Sequence, residues 1–206
     1  MIFFKYFNLL RFIRRQERGK VSSLLKLFRK LDCDIRKFQR ASGLKCREGC
    51  GQCCENPRVE TTAAEFLPLA FHLWREKKAE GWLLKAQEQN FTGRCVFYEP
   101  RADHSGRGRC SVYALRPLIC RLFGFSAVTD KNNRKMLLTC PIIKTEFSSA
   151  LPGIEKAINE KMFIPKTTDY VLQAQQIDPS LSRQLPINEA LKLSLEKVGL
   201  ILKYRC

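Results

Sequence analysis

The 206-residue sequence has no long apolar run. At its start, Met1-Ile2-Phe3-Phe4 is interrupted by Lys5, and Leu9-Leu10 is followed by Arg11. A secretory signal needs an uninterrupted apolar stretch of roughly 7–15 residues, and a membrane-spanning helix needs about 20. Neither is found. We therefore expect a cytoplasmic protein whose thiols stay reduced unless a metal holds them.

Histidine is scarce, and the common catalytic signatures are missing. One of the two histidines, His72, lies seven residues after Glu65 and hence on the same helical face. The other, His104, lies in a polar loop where we expect solvent exposure. No dinucleotide-binding glycine motif, Walker loop, H-E-x-x-H motif or serine nucleophile elbow is present. No general acid–base pair is visible either. The sequence motifs therefore do not support an enzymatic function.

Acidic residues are also few, with 20 Asp and Glu against 37 Lys and Arg, for a formal charge of +17. Residues 1–47 carry 14 of the basic residues and 3 of the acidic ones, a net +11. Apolar residues spaced by 3, 4 and 7 predict an amphipathic helix over 1–40, broken near Gly19. Its basic face is either a binding surface for an anionic partner, nucleic acid or membrane, or the solvated side of a helix packed on the domain. The spacing favours the second interpretation.

Cysteine, by contrast, is abundant. Ten are present: Cys33, Cys46, Cys50, Cys53, Cys54, Cys95, Cys110, Cys120, Cys140 and Cys206. Four of them form a C-x3-C-x2-C-C motif over residues 46–54, with Gly49 and Gly51 between them. Ligands from one short loop cost little chain entropy to gather, and thiolate sulfur selects zinc, iron–sulfur clusters or Cu(I). The motif therefore predicts a thiolate metal site.

The assignment of individual cysteines stays open at this point. Adjacent side chains usually diverge, so one of Cys53 and Cys54 could bridge, serve a second site or remain unligated. Eight cysteines between 46 and 140 allow two four-thiolate sites, or one cluster plus a smaller site. For the isolated Cys33 and Cys206 we expect buried, unligated side chains.

A longer pattern contains these cysteines. After residues 46–54 come a Thr62-x-x-Glu65 helix start, Cys95 before an apolar stretch, and a final Cys140. The most specific part is C-x2-Y-x2-R-P-x2-C-R-x-F, from Cys110 to Phe123. The pattern resembles the YkgJ-family cysteine-cluster proteins, which are proposed zinc- or iron-chelating domains. The resemblance covers about 95 residues and leaves out the N-terminal helix and the region after 150.

The resemblance implies a metal-binding protein that holds an iron–sulfur cluster or zinc. The implied ligands are Cys46, Cys50, Cys53, Cys54, Cys95, Cys110, Cys120 and Cys140. Around them, Arg116 and Arg121 could stabilise thiolates, Tyr113 could donate a hydrogen bond, and Glu65 could orient a ligand while capping its helix. The alternatives are a cluster-dependent enzyme, by redox or methyl and group transfer as in the similar flagellin lysine N-methylase, or a zinc-stapled interaction module with an anionic-surface-binding helix.

The predicted fold is mainly α, with an irregular, minimally β cysteine-rich metal-binding core. We expect three regions: a basic helical extension over 1–42, the cysteine-cluster domain over 43–147, and a helical region over 148–206. Predicted helices cover 62–89 with a kink at Pro68, a short segment opened by Arg116-Pro117, 153–161, 168–177 and 187–203. Predicted strands lie near 123–128 and 134–139, joined by a turn over 130–133.

Overall fold

The computed structural model describes residues 2–47, 50–89, 93–100 and 108–203, with side chains from residue 15 onward. Over these ranges the chain is mainly helical, as predicted. The helices are α1 (Ile2–Ser42), α2 (Leu67–Arg75), α3 (Ala79–Glu88), α4 (Leu118–Leu122), α5 (Pro141–Glu146), α6 (Leu151–Glu160), α7 (Thr167–Ile177) and α8 (Ile187–Lys203). Single 3₁₀ turns cover Gln52–Cys54, Ala63–Phe66, Tyr113–Leu115 and Pro179–Leu181.

The strands are short and pair two by two. They are β1 (Glu60–Thr62), β2 (Tyr98–Pro100), β3 (Gly108–Cys110), β4 (Ser126–Thr129), β5 (Lys135–Leu138) and β6 (Gln184–Pro186). The three antiparallel pairs are β1 with β6, β2 with β3, and β4 with β5. Within the described ranges, no helix combines the length and the apolarity that crossing a bilayer requires.

Helix α1 is continuous, so the predicted break near Gly19 is wrong. One glycine inside a helix costs about 1 kcal/mol relative to alanine, which the burial of a long apolar face outweighs. That face repeats at helical spacing, and its side chains are buried: Leu24, Leu27, Phe28, Leu31, Ile35 and Phe38. The apolar side chains of this stretch therefore serve a core.

The described chain divides into two compact units that interleave along the sequence. Unit 1 comprises residues 1–26, 57–96 and 174–206, and unit 2 comprises 27–56 and 97–173. The sequential division expected from the sequence, with boundaries near 42 and 147, stays a prediction.

Unit 1 is built around α8, against which α2 and α3 pack. The side chain of Trp74 in α2 donates its Nε1–H to the Leu195 carbonyl of α8 at 2.9 Å. The predicted single helix over 62–89 is wrong, because the chain turns at Lys77 with φ of 57° and separates α2 from α3. Pro68 lies in the first turn of α2, where its missing N–H is not needed, rather than at a kink.

Unit 2 contains the hairpins β2–β3 and β4–β5. The predicted strand pair is confirmed as β4–β5, in which Ser126 lies opposite Leu138. Its turn is held by Asp130, whose Oδ1 accepts hydrogen bonds from the backbone N–H groups of Asn132 and Arg134 at 2.9 and 2.8 Å. The backbone N–H of Ala127 in β4 donates to the Pro165 carbonyl at 2.9 Å, which anchors the segment between α6 and α7.

Candidate metal centre

The cysteine loop of unit 2 is held against the β2–β3 hairpin by two glycines and one aromatic ring. Gly51 adopts a left-handed conformation with φ of 60°, and the Gly108 N–H donates to the Cys50 carbonyl at 3.3 Å. A Cβ on Gly108 would lie 2.2 Å from Cε2 of Tyr98, so only glycine fits beside this ring. The Tyr98 hydroxyl donates to Glu55 Oε1 at 3.0 Å, which ties the hairpin to the end of the loop.

This arrangement brings Cys54 to Cys53 and to Cys110, which faces Tyr98 in the hairpin. Hydrogen bonding with Cys54, the charge of Arg116 and backbone N–H groups together lower the pKa of Cys53 to about 6, against the opposing effect of burial. Hydrogen bonding with Cys54, the Val112 backbone and the charge of Arg116 likewise lower the pKa of Cys110 to about 7, against burial. The surroundings of these two thiols therefore favour their thiolate forms.

A second group contains Cys46, Cys50 and Cys140. Burial, together with the nearby thiols of Cys50, Cys53 and Cys140, raises the pKa of Cys46 to about 11, and its S–H donates to Cys50. Cys140 begins α5 by accepting the backbone N–H of Ile143 at its Sγ, at 3.5 Å. Cys53 belongs to the first group and acts on Cys46 in the second, so the two groups adjoin.

Arg116 is the cation beside these thiols. Its guanidinium carbon lies over the Tyr113 ring, 3.6 Å from the centroid. Its Nε is buried and has no hydrogen-bond partner among the described residues. Tyr113 itself is 63% exposed, so the ring covers the cation rather than filling a core. A half-buried cation next to thiols favours their ionised forms.

Arg121 has a different environment. It is 3% exposed, and its guanidinium donates to the carbonyls of Arg116 and Ala114 at 3.0 and 2.5 Å and to the carboxylate of Asp32 at 2.6 Å. The cation also lies over the Phe28 ring, 4.6 Å from its centroid. Arg121 therefore fixes the backbone that carries Arg116.

Glu65, in unit 1, completes a capping box with Thr62. Glu65 is 2% exposed, and its Oε1 accepts from the backbone N–H and the hydroxyl of Thr62 at 3.3 and 3.1 Å. The capping role expected from the sequence is confirmed. The roles of Glu65, Tyr113, Arg116 and Arg121 toward a bound metal stay predictions.

The remaining cysteines and histidines are placed as follows. Cys95 is buried in unit 1, and Cys120 is half-buried in α4 of unit 2. Cys33 is exposed on α1, which corrects the expectation that it is buried. His72 is exposed, while Cys206 and His104 lie outside the described residues.

The described residues contain no group of three or more His, Cys, Asp or Glu side chains arranged to coordinate one ion. The thiols interact in pairs instead, through Cys54 with Cys53 or Cys110 and through Cys46 with Cys50. The donor chemistry suits zinc or iron, because soft ionised sulfur is already present. Full coordination requires side-chain rearrangement from this conformation.

Sequence reasoning missed several residues that build the site. Tyr98, Gly108 and Glu55 hold the cysteine loop on the hairpin, and Arg47 forms an ion pair with Glu146 of α5, the helix that Cys140 begins. In the sequence, Gly108 lies in a polar, glycine-containing stretch that is typical of a loop. Nothing in the spacing marks it as the partner of an aromatic ring ten residues away.

Residues 45–141 match the model of the CxxCxxCC family, whose description is "putative zinc- or iron-chelating domain". The match covers slightly less than half of the chain and spans every cysteine of both thiol groups. This segment is therefore similar to the cysteine-cluster family that its motifs indicate. Neither the curated proteins nor the solved structures contain a significant match to the chain.

Proposed function

We propose that the cysteine loop and the hairpin beside it chelate a thiophilic metal, either zinc or iron in an iron–sulfur cluster. The observation that carries the proposal is the group formed by Cys53, Cys54 and Cys110, in which the single S–H of Cys54 is shared between two ionisable neighbours beside Arg116. Metal binding requires deprotonated sulfur, and this group supplies it near neutral pH at little cost. The family match to residues 45–141 supports the same chemistry.

The remaining ligands would come from the adjoining group of Cys46, Cys50 and Cys140, together with Cys120 of the same unit. Cys46, with a pKa of about 11, is protonated in the described state and would have to release its proton on binding. Thiolate ligation offers two chemistries: closed zinc sites contribute folding free energy, and iron–sulfur clusters carry electrons. An enzymatic use of a cluster, by redox or group transfer, stays a prediction.

The test is anaerobic purification of the full chain, followed by metal analysis and a visible absorption spectrum. Stoichiometric zinc without visible absorption would assign zinc, whereas iron, acid-labile sulfide and visible bands would assign a cluster. The variant Cys54→Ser should lower the metal content well below stoichiometry, because Cys54 contacts two other thiols. Cys33→Ser is the matched control, since Cys33 is exposed and lies outside residues 45–141. Absence of both metals from the anaerobic wild-type protein would overturn the proposal.

A second function is favoured by the exposed side of α1. Basic residues project from it along the helix while the apolar side chains between them are buried: Arg15, Arg18, Lys26, Arg29, Lys30, Arg36, Lys37 and Arg40. We infer that this face binds anionic surfaces by charge alone, because residues 24–38 keep no apolar stripe for insertion into lipid.

Binding to phosphatidylserine vesicles and to duplex DNA measures this interaction at two salt concentrations. Replacing Lys26, Arg29, Arg36 and Arg40 by Gln should abolish most of the salt-sensitive binding. The control replaces four exposed basic residues elsewhere, Lys131, Arg134, Lys144 and Lys156, with no change in fold. Equal losses in both variants would show that only net charge matters and would refute a role for α1.

A further inference from the structure

Unit 2 contains a cavity of about 400 Å³, away from the residues of the two thiol groups. Its walls are α1, the start of β5, the 161–166 segment between α6 and α7, and the first half of α7. Ligand-binding cavities of proteins commonly have volumes of roughly 300–1,000 Å³, so this one suits a small organic molecule. All of its lining except Lys135 lies outside the segment that matches the metal-chelating family.

Hydrogen bonds to the backbone hold two of the cavity walls in place. The Ala127 N–H donates to the Pro165 carbonyl at 2.9 Å, which joins the 161–166 segment to β4. Asn159 clamps the start of β5 by accepting the Lys135 N–H at 2.9 Å and donating to the Lys135 carbonyl at 3.0 Å. The site is therefore largely formed before a ligand binds, so that little conformational entropy would be lost from the protein on binding.

The negative charge of Asp34, one of the lining residues, is already neutralised by its neighbours. Asp34 accepts hydrogen bonds from the Tyr170 hydroxyl, from Lys30 at 3.0 Å and from Lys37 at 3.2 Å. Burial by itself would raise the pKa of Asp34, but these three donors hold it below its ordinary value. The carboxylate is thus fully occupied and attracts no further cation.

Three other lysines of the lining have no negatively charged partner within the described part of the chain. Lys161 and Lys166 have no side-chain hydrogen bond or ion pair to any described residue. Lys135 donates only to the uncharged carbonyl of Ile158, at 3.1 Å. Besides Asp34, the lining contains one carboxylate, that of Asp169. The three ammonium groups therefore leave a net charge of about +2 that is not neutralised.

Apolar surface borders the same lysines. Phe163 lies between Lys161 and Lys166 in sequence, lines the cavity, and is 52% exposed. Met162 lines it as well, and a thioether next to an aromatic ring forms an adaptable apolar contact. The lining therefore combines unneutralised lysines with an exposed aromatic side chain.

We propose that this cavity binds a small organic phosphate monoester, with the phosphate on Lys161, Lys166 and Lys135 and an apolar or aromatic body on Phe163. A phosphate monoester carries about −1.5 to −2 charges at pH 7, which matches the unneutralised charge of the lining. The volume exceeds what an inorganic anion fills, and an organic body packed on the Phe163 ring would fill the remaining space.

The experiment titrates the full-length protein with 1-naphthyl phosphate, by calorimetry and by naphthyl fluorescence. We expect saturable one-to-one binding that is weaker by at least tenfold for inorganic phosphate and for uncharged 1-naphthol. Lys161→Gln with Lys166→Gln should weaken 1-naphthyl phosphate binding by at least tenfold, and the paired Arg substitutions should retain it. Phe163→Ala should weaken 1-naphthyl phosphate but leave the affinity for inorganic phosphate unchanged.

The matched control is Lys144→Gln with Lys156→Gln, which removes the same charge from exposed helix positions outside the lining. Circular dichroism of each variant verifies that it is folded. Equal weakening by the control pair would show diffuse charge attraction and would overturn the proposal. So would the absence of saturable binding to the wild-type protein, or tight binding that survives the Lys161 and Lys166 substitutions.

Discussion

The guanidinium carbon of Arg116 lies over the Tyr113 ring, 3.6 Å from its centroid, and the charge of Arg116 contributes to lowering the pKa of two cysteine thiols. Cation–π stacking holds the cation in place without neutralising it, unlike a carboxylate partner. The positive charge therefore acts on the sulfur atoms of Cys53 and Cys110, which come from two distant parts of the chain.

Arg116→Gln should weaken metal binding by removing this charge. The pKa values of Cys53 and Cys110 rise, so protons compete more strongly with the metal, by up to about tenfold per pKa unit and thiol. Competition with a chromophoric zinc chelator at pH 7 measures the loss, and it should shrink at pH 9. Arg134→Gln, which removes an exposed cation outside the site, should bind zinc as the wild type does. A loss that is equal at both pH values would argue against the electrostatic explanation.

Gly108→Ala should destabilise the cysteine loop. The new Cβ would lie 2.2 Å from Cε2 and 2.6 Å from the hydroxyl of Tyr98, and ring displacement would also disturb the hydrogen bond to Glu55. We expect a loss of about 1–3 kcal/mol in the free energy of unfolding, from urea denaturation. Gly153→Ala is the control, because its Cβ meets nothing within 4 Å in α6 and should stabilise by about 0.4–1 kcal/mol. Equal stability of the two variants would contradict the close packing described here.

Arg121→Lys should lower stability without lowering the metal content of the folded protein. Lysine cannot satisfy the carbonyls of Arg116 and Ala114 together with Asp32, so buried acceptors lose their donors, at a cost of about 1–3 kcal/mol. Chemical denaturation gives the first quantity and metal analysis the second. The exposed Arg109→Lys, whose ion pair is with Glu99, should cost less than about 1 kcal/mol. Loss of metal from folded Arg121→Lys protein would instead assign Arg121 to the metal site.

Asp178→Asn should destabilise unit 1 at neutral pH. Burial raises the pKa of Asp178, but hydrogen bonds from Ser180, Lys197 and Lys20 outweigh it and hold the pKa below its ordinary value. The carboxylate thus contributes stability above about pH 4, and the contribution disappears as pH falls through the folded-state pKa.

Thermal unfolding of this variant and of the wild type at several pH values tests the sign. The difference should be largest near pH 7, at about 1–3 kcal/mol, and should diminish below pH 4. Glu160→Gln, which alters an exposed pair 3.9 Å apart, should show little difference throughout. A difference between Asp178→Asn and wild type that grows on acidification would reverse the sign and refute the explanation.

Features set by neighbouring residues could be predicted from the sequence. The Thr62–Glu65 capping box and the β4–β5 turn at Asp130 depend on contacts within four residues, and the structure contains both. The continuity of α1 through Gly19 could not be predicted, because the burial of apolar side chains from Leu24 to Phe38 outweighs one local preference. The turn at Lys77 has no glycine or proline to mark it.

The candidate site shows the same division. The spacing from Cys46 to Cys54 indicates a metal loop, but the contact between Cys54 and Cys110 joins positions 56 apart and depends on the Gly108–Tyr98 packing. The spacing of the cysteines does not indicate that the loop at 46–54 and Cys110 lie together. Only the resemblance to a cysteine-cluster family implied that they share a site. The cavity lined by Lys135, Lys161 and Lys166 could not be predicted from the sequence. These lysines are far apart or in loops, and each is typical of a solvent-exposed basic residue.

The interleaving of the two units has a consequence for the order of events on the ribosome. The last residue of unit 2 is Gln173, whereas unit 1 needs residues 174–206, including α8. At about 5–20 residues per second, synthesis of the final 33 residues takes roughly 2–7 s. The segments that carry the two thiol groups are thus all translated while unit 1 still lacks the helix that α2 and α3 pack against. All of the cysteines in the two thiol groups therefore precede α8 in the order of synthesis.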